Sequence, residues 1–149
     1  MKFSNFTLPN NNEGRFDFYQ YQGNSWLLIL FFRGAWCVLC KKQLQELQSK
    51  IKDLQNANVK VVAISTDSKL KSSLLQNFFH LSFPVLSDAN MEIINRENLA
   101  TQYKNQTVAK PAYYIIDQNH EIRFQYIGAT YDDRLSVNQI ITKIKKLQS

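Results

Sequence analysis

The sequence predicts an α/β fold, a mixed central sheet flanked by helices, and three observations predict it. Two short apolar runs, Trp26-Leu27-Leu28-Ile29-Leu30-Phe31-Phe32 and Val59-Lys60-Val61-Val62-Ala63-Ile64-Ser65, read as buried strands. Each is followed by a segment whose apolar residues recur at helical spacing. The chain then closes on a hairpin pattern and a last amphipathic segment, so strands and helices alternate along most of it.

Taken in order, Leu8-Pro9-Asn10-Asn11-Asn12-Glu13-Gly14 reads as a short extended piece and a turn. Residues 15–19 form a strand with Phe16 and Phe18 on one face. After the first buried strand, Leu44, Leu47, Ile51 and Leu54 place a helix over 38–57. After the second, Thr66 or Asp67 can cap a helix whose apolar face is Leu70, Leu74, Leu75, Phe78 and Phe79. Phe83-Pro84-Val85-Leu86 is a short strand, and Asp88 or Asn90 can start a helix over 92–103. Strands over 112–117 and 121–126 are joined by a turn at Gln118-Asn119-His120. Val137, Ile140, Ile141, Ile144 and Leu147 give the final helix.

The 149 residues suit a single domain over 1–149, and 44% hydrophobic with 13% aromatic residues excludes a disordered chain. No internal repeat, low-complexity segment or dividing linker is visible. Lys2 is followed by a polar start, and the first long apolar run is far too short to cross a membrane. A cytoplasmic location, with no membrane partner, is the expectation. The net charge of +6 is scattered; its densest group, Lys143, Lys145 and Lys146, falls where cations suit a helix C-terminus. It reads as solubility, and no nucleic-acid partner is expected.

Cys37 and Cys40 are the only two cysteines, three residues apart, at the junction between a strand and a helix. Backbone N–H groups at a helix start favour the thiolate, which is the nucleophile of thiol chemistry. Zinc wants four ligands, and His80 and His120 form no ligand pair, so no metal is expected. A structural disulfide here would close a tiny loop and constrain little of the unfolded chain. A redox pair and a pair of inert buried thiols both remain, and a reducing compartment favours the catalytic use of CxxC. Cys37, nearer the helix start and expected to be the more exposed, is the attacking thiol; Cys40, one turn inward, is the resolving one.

Trp36-Cys37-Val38-Leu39-Cys40 after a strand resembles a thioredoxin-type active site. Pro111, just before the strand over 112–117, resembles the cis-proline that faces the cysteines in that fold. As a set, the motifs are similar to the peroxiredoxin-like branch of the alkyl hydroperoxide reductase/thiol-specific antioxidant family. Phe32-Arg33-Gly34-Ala35-Trp36-Cys37 looks like its Arg-Gly-x-Trp-Cys subgroup, and Phe83-Pro84-Val85-Leu86-Ser87-Asp88 like its second signature. Pro111 to Asp117 followed by Glu121-Ile122-Arg123 matches its closing hairpin, and Tyr131-Asp132-Asp133-Arg134 its Tyr…Arg pair.

The resemblance implies a thioredoxin-like fold and hydroperoxide reduction through a Cys37/Cys40 dithiol–disulfide cycle, without metal or organic cofactor. It implies an external dithiol reductant such as a thioredoxin or glutaredoxin system, and it allows a homodimer. A thioredoxin-like protein disulfide reductase and a redox-inactive interaction module are the alternatives. Arg33 and Arg123 are the candidate thiolate activators. Trp36 flanks the thiols, and Pro111, if cis, keeps backbone groups near them for an extended substrate. Four positions depart from the related patterns. Gly34 replaces the peroxiredoxin Thr or Ser, Leu30 its upstream Pro, Phe31 the buried acid of thioredoxin, and Val38 the proline after the first cysteine.

Overall fold

β3 (Trp26–Phe31) is the middle strand of the central sheet, and its fully buried side chains explain the unbroken apolar run. In this computed structural model, which describes residues 1–9 and 14–149, β3 pairs in parallel with β4 (Val59–Ser65) and antiparallel with β8 (Ala112–Ile116). β5 (Val85–Ser87) joins β4 in parallel and β9 (Ile122–Ile127) joins β8 antiparallel. The order is β5-β4-β3-β8-β9, so the sheet is mixed, as the alternation of elements predicts. The turn expected over 10–13 lies outside the described residues.

The pleat splits the sheet's side chains between two cores. Leu28, Leu30, Val61, Ala63, Tyr113 and Ile115 face the helical side. There they meet α2 (Val38–Ser49), α3 (Ile51–Asn56) and α6 (Val137–Gln148) through Leu44, Leu47, Leu54, Ile140 and Ile144. Leu27, Ile29, Phe31, Val62, Ile64 and Tyr114 face the other way, against Phe3, Phe6, Phe18, Ile93 and Ile94. Each fully buried Leu, Ile or Phe contributes about 1.5–3 kcal/mol, so two such layers hold β3 rigidly and fix where its C-terminal end points.

Several local expectations need correction. The strand over 15–19 is a three-residue β2 (Arg15–Asp17), paired with β1 (Thr7–Pro9), that runs into α1 (Phe18–Gln22). Asp17 ends the strand because its carboxylate accepts the Gln20 N–H and caps the helix. The helix over 38–57 is broken at Lys50, where the backbone leaves helical geometry. The next helix, α4 (Lys69–Phe78), is capped by Ser68 rather than by Thr66 or Asp67. Its inward row is Ser72 and Leu75, with Phe79 half-buried. Leu70, Leu74 and Phe78, half a turn away, are 69%, 58% and 76% exposed.

The helix expected over 92–103 is only α5 (Glu92–Arg96). Asp88 does start it, accepting the N–H groups of Ile93 and Ile94, but Asn98 at φ 58 turns the chain out of the helix. A separate hairpin follows, β6 (Ala100–Tyr103) and β7 (Gln106–Ala109), turned at Lys104. The Lys110–Pro111 bond is trans, against the expected cis-proline, since no cis bond occurs among the described residues. Lys110 N–H is held by Leu99 O at 2.7 Å and Pro111 O by the Gly128 N–H at 2.8 Å, so the chain enters β8 fully extended. The two terminal expectations hold. Asp117 turns the β8–β9 hairpin by accepting the Asn119 and Glu121 N–H groups, and Ser136 with Gln139 forms a capping box on α6.

Candidate active site

Cys37 is the N-cap of α2, placed at the carboxyl end of β3 by the loop over 33–36. Its Sγ accepts the Cys40 backbone N–H at 3.3 Å, so the sulfur takes the role that a Ser or Asp oxygen plays in most caps. The loop is tied down from below: Ala35 N–H donates to Asp67 Oδ2 at 2.7 Å, and Cys37 N–H to Gly34 O at 3.1 Å. Burial pushes the Asp67 carboxyl up from its ordinary value. Both cysteines are free thiols, and both are buried. Cys37, at 4% against 0% for Cys40, is the more exposed of the two, as its place at the helix start predicts.

Arg134 reaches both sulfurs from the loop that precedes α6. Its Nη2 lies 3.2 Å from Cys40 Sγ and 3.6 Å from Cys37 Sγ. The guanidinium is held on its other edges, where Nε donates to Tyr131 O at 2.7 Å and Nη1 to Gln43 Oε1 at 3.2 Å. Gln43, one turn beyond Cys40 on the same face of α2, is itself locked: its Nε2 donates to the Tyr113 hydroxyl at 2.6 Å and to Leu135 O at 3.2 Å. The carrying loop is anchored at Asp133, which accepts the Tyr126 hydroxyl and the Ala129 N–H.

These contacts set the charge of the pair. The Cys40 thiol donates to Cys37 and, with the Cys40 N–H and the charges of Arg134 and Arg33, holds the Cys37 thiol at about 5 against the opposing effect of burial. The donor role itself, together with burial, drives Cys40 far upward. One proton therefore leaves the pair easily and the other is retained, which produces a nucleophilic thiolate beside a thiol able to follow it.

The structure brings Cys37, Cys40, Arg33, Trp36 and Pro111 to one end of the sheet and leaves Arg123 at the other. Arg33 is buried among three rings, its Cζ 4.8 Å from the Trp36, 4.4 Å from the Tyr103 and 5.2 Å from the Tyr131 ring centroids. Trp36 stacks on Tyr103 at 4.6 Å. Pro111 lines a pocket of about 210 Å³ with Arg33 and Tyr131. Arg123 instead pairs with Asp117 at 3.4 Å and lies over Trp26. Trp26 starts the strand whose far end carries the thiols, some 16 Å away at about 3.3 Å per residue, so Arg123 is not an activator. That position belongs to Arg134, which the sequence reading quoted within a Tyr…Arg pair but did not assign to the thiols. Gln43 and Tyr113 were missed. The signal for Gln43 was a polar residue three after Cys40, on the helix face that also carries Leu44 and Leu47.

On the other side of Trp36 runs an apolar groove of about 720 Å³ between α2 and α4, walled by Ala35, Leu74, Leu75 and Phe78 with Lys41 and Lys71 at its rim. No helix among the described residues is long and apolar enough to cross a membrane.

The sequence profile of the AhpC/TSA family matches residues 1–125. Peroxiredoxin 2 of Picrophilus torridus is 26% identical over 132 residues, which are 85% of this chain and 64% of that protein. Peroxiredoxin 2 of Thermoplasma acidophilum is 26% identical over 153 aligned positions, covering 99% of this chain and 74% of that protein. The chain thus spans about two thirds to three quarters of these relatives. Among solved structures, a mutant of the peroxiredoxin 6 of Arenicola marina superposes with a TM-score of 0.88 at 17% identity, over 99% of this chain and 72% of that one.

Proposed function

This chain belongs to the AhpC/TSA family, and on that premise we propose that it reduces hydroperoxides through a Cys37/Cys40 dithiol–disulfide cycle. The Cys37 thiolate attacks the terminal peroxide oxygen; the S–O bond forms, the O–O bond breaks, and the leaving oxygen takes a proton and departs as the alcohol. Cys40 then attacks the Cys37 sulfenic acid, an S–S bond forms, and the hydroxyl leaves as water with the Cys40 proton. An external dithiol of thioredoxin or glutaredoxin type returns two electrons to the disulfide, in a reducing cytoplasm. Arg134 stabilises the thiolate, and Arg33 adds a weaker charge from within its aromatic surround. Trp36 and Pro111 border the approach to the thiols.

The observation that carries the reading is the Cys37 sulfur with two donors from Cys40 and a guanidinium at 3.6 Å. The reduced protein should consume hydroperoxide far faster than free cysteine, and Cys37→Ser should abolish that reaction. A peroxide reaction no faster than free cysteine, beside rapid disulfide reduction, would replace this reading with the second, a protein disulfide reductase. Gly34 favours that second reading, since it offers no hydroxyl to orient a peroxide.

A further inference from the structure

Arg33 is a largely buried cation that no carboxylate among the described residues pairs with. The residue is 8% exposed, yet among the described residues its guanidinium has no carboxylate within ion-pair distance and no hydrogen-bond acceptor. Three aromatic rings hold it instead. Rings bind the faces of a guanidinium and leave its N–H edge free, and that edge is what grips a carboxylate with two parallel hydrogen bonds. Among the described residues only Ser72 Oγ and Asp88 Oδ1 are buried side-chain polar atoms without a partner, so the unpaired N–H edge of Arg33 reaches solvent, where an anion can meet it.

The arginine opens on the pocket of about 210 Å³ that it shares with Lys110, Pro111, Thr101 and Tyr131. No Asp or Glu lines this pocket, and the Lys110 ammonium adds a second cation, also without a partner among the described residues. The volume suits a small molecule and not a folded domain. Neither cysteine lines this pocket, but two of its residues connect it to them: Arg33 precedes Cys37 by four residues in the same loop, and the Tyr131 carbonyl holds the arginine that touches both sulfurs.

We propose that the Arg33–Lys110 pocket is an anion subsite that receives the carboxylate of a small disulfide or thiol exchanging with Cys37. The inference deepens the proposed function and rests on Cys37 as the exchanging thiol. Cys37 thiolate attacks one sulfur of the bound disulfide, the S–S bond breaks, and the first thiolate leaves with the Cys40 proton. Cys40 sulfur then attacks the mixed disulfide and releases the second thiolate, which is protonated by water. The small disulfide is reduced to two thiols and the Cys37/Cys40 dithiol is oxidised; the reverse sequence lets two carboxylate-bearing thiols reduce the oxidised protein.

The test is a charge series of three disulfides of similar length: 3,3′-dithiodipropionate, 2-hydroxyethyl disulfide and cystamine. Rates with the reduced protein are divided by those with free cysteine. The anionic disulfide should exceed the neutral one by about tenfold, the equivalent of one charge-assisted contact. Lys110→Met should remove most of that preference and leave the rate with 2-hydroxyethyl disulfide within about twofold. Arg33→Met, which also removes a charge acting on Cys37, should lower the ratio of the anionic to the neutral rate as far within the one variant; Lys145→Met on the distant α6 should keep it. An equal rate for all three disulfides overturns the subsite. So does a preference that survives both pocket variants, since Arg134 or the net charge would then be its source. Titration with 3,3′-thiodipropionate, which has no S–S bond, separates the two levels of the argument. A shift of the Arg33 Nε–H resonance with no exchange by any disulfide keeps the subsite and sinks the Cys37 reading. No shift, with normal exchange of the neutral disulfide, does the opposite.

Discussion

Arg134→Met isolates the charge that the structure places against the two sulfurs. Methionine keeps the length of the side chain and some packing while removing the cation. In the native protein the first proton leaves the Cys37/Cys40 pair near pH 5. The guanidinium lies 3.6 Å from Cys37 Sγ; with an effective dielectric constant of about 40, between the protein and bulk-water values, a unit charge there contributes roughly 2 kcal/mol. That corresponds to about 1.5 pH units, which moves the midpoint to about 6.5. The ultraviolet absorbance of the thiolate, followed against pH, reads the midpoint directly. A rate at neutral pH does not: the thiolate fraction stays high in both proteins, and a higher-pKa thiolate is intrinsically the better nucleophile. Cys40→Ala should move the midpoint further than Arg134→Met, because the thiol donor is the larger influence on Cys37. A midpoint unchanged in Arg134→Met, or a larger shift there than in Cys40→Ala, refutes the assignment.

Gln43→Leu should raise the same midpoint by less than Arg134→Met and lower stability by about 1–3 kcal/mol in urea, because Tyr113 and Leu135 lose their buried donor. Gly128→Ala should destabilise by a similar ~1–3 kcal/mol in the same assay and raise the Cys37 midpoint, since its methyl would meet the Asp133 carbonyl and lie 2.9 Å from Pro111 Cγ, displacing the loop that carries Arg134. For pH dependence, the depressed Cys37 pKa contributes stability that is complete above the ordinary thiol range of about 8.5 and is lost as pH falls through about 5. The stability difference between Cys37→Ser and the native protein, measured by denaturant titration, should therefore close on acidification toward pH 5. Gly34→Thr should red-shift the Trp36 fluorescence and abolish the preference for anionic disulfides.

The strands that build the sheet were legible because their signal is local. A run such as Leu27-Leu28-Ile29-Leu30-Phe31 is buried on both faces whatever surrounds it, and only a central strand needs that. The failures came where local pattern and tertiary placement part. Of the predicted apolar face of α4, Leu75 and Phe79 do pack inward beside Ser72, but Leu70, Leu74 and Phe78 point outward. Residues 97–103 have helical spacing but lose the helix at Asn98, whose left-handed conformation periodicity does not register. The dithiol was legible because two cysteines at this spacing carry their chemistry with them. The arginine was not, because its contact with Cys40 joins positions 94 apart and is fixed by the turn at Gly128 and by Gln43. Arg123 sits in a motif with the right order but at the wrong end of a strand, a distinction that only the β8–β9 register makes.

The absence of a hydroxyl at Gly34 follows from the same packing that leaves Arg33 unpaired. A Cβ at Gly34 would collide with the Trp36 indole, at its Nε1 and 2.9 Å from its Cδ1, and the indole is held in place by Tyr103 and Arg33. A Thr or Ser there, with the backbone unchanged, requires Trp36 to leave that stack. The chain therefore holds one of two arrangements at the loop before Cys37: a side-chain hydroxyl aimed at the reacting oxygen, or an aromatic wall that keeps a guanidinium buried and its edge open. It holds the second. Activation of the thiolate does not suffer, because its main donors, the Cys40 thiol and N–H and the Arg134 guanidinium, come from α2 and the loop before α6 and not from residue 34. On the proposed subsite, what Gly34 gives up is a hydroxyl to orient a peroxide, and what the loop keeps in its place is a cation able to recognise an anionic group of the substrate.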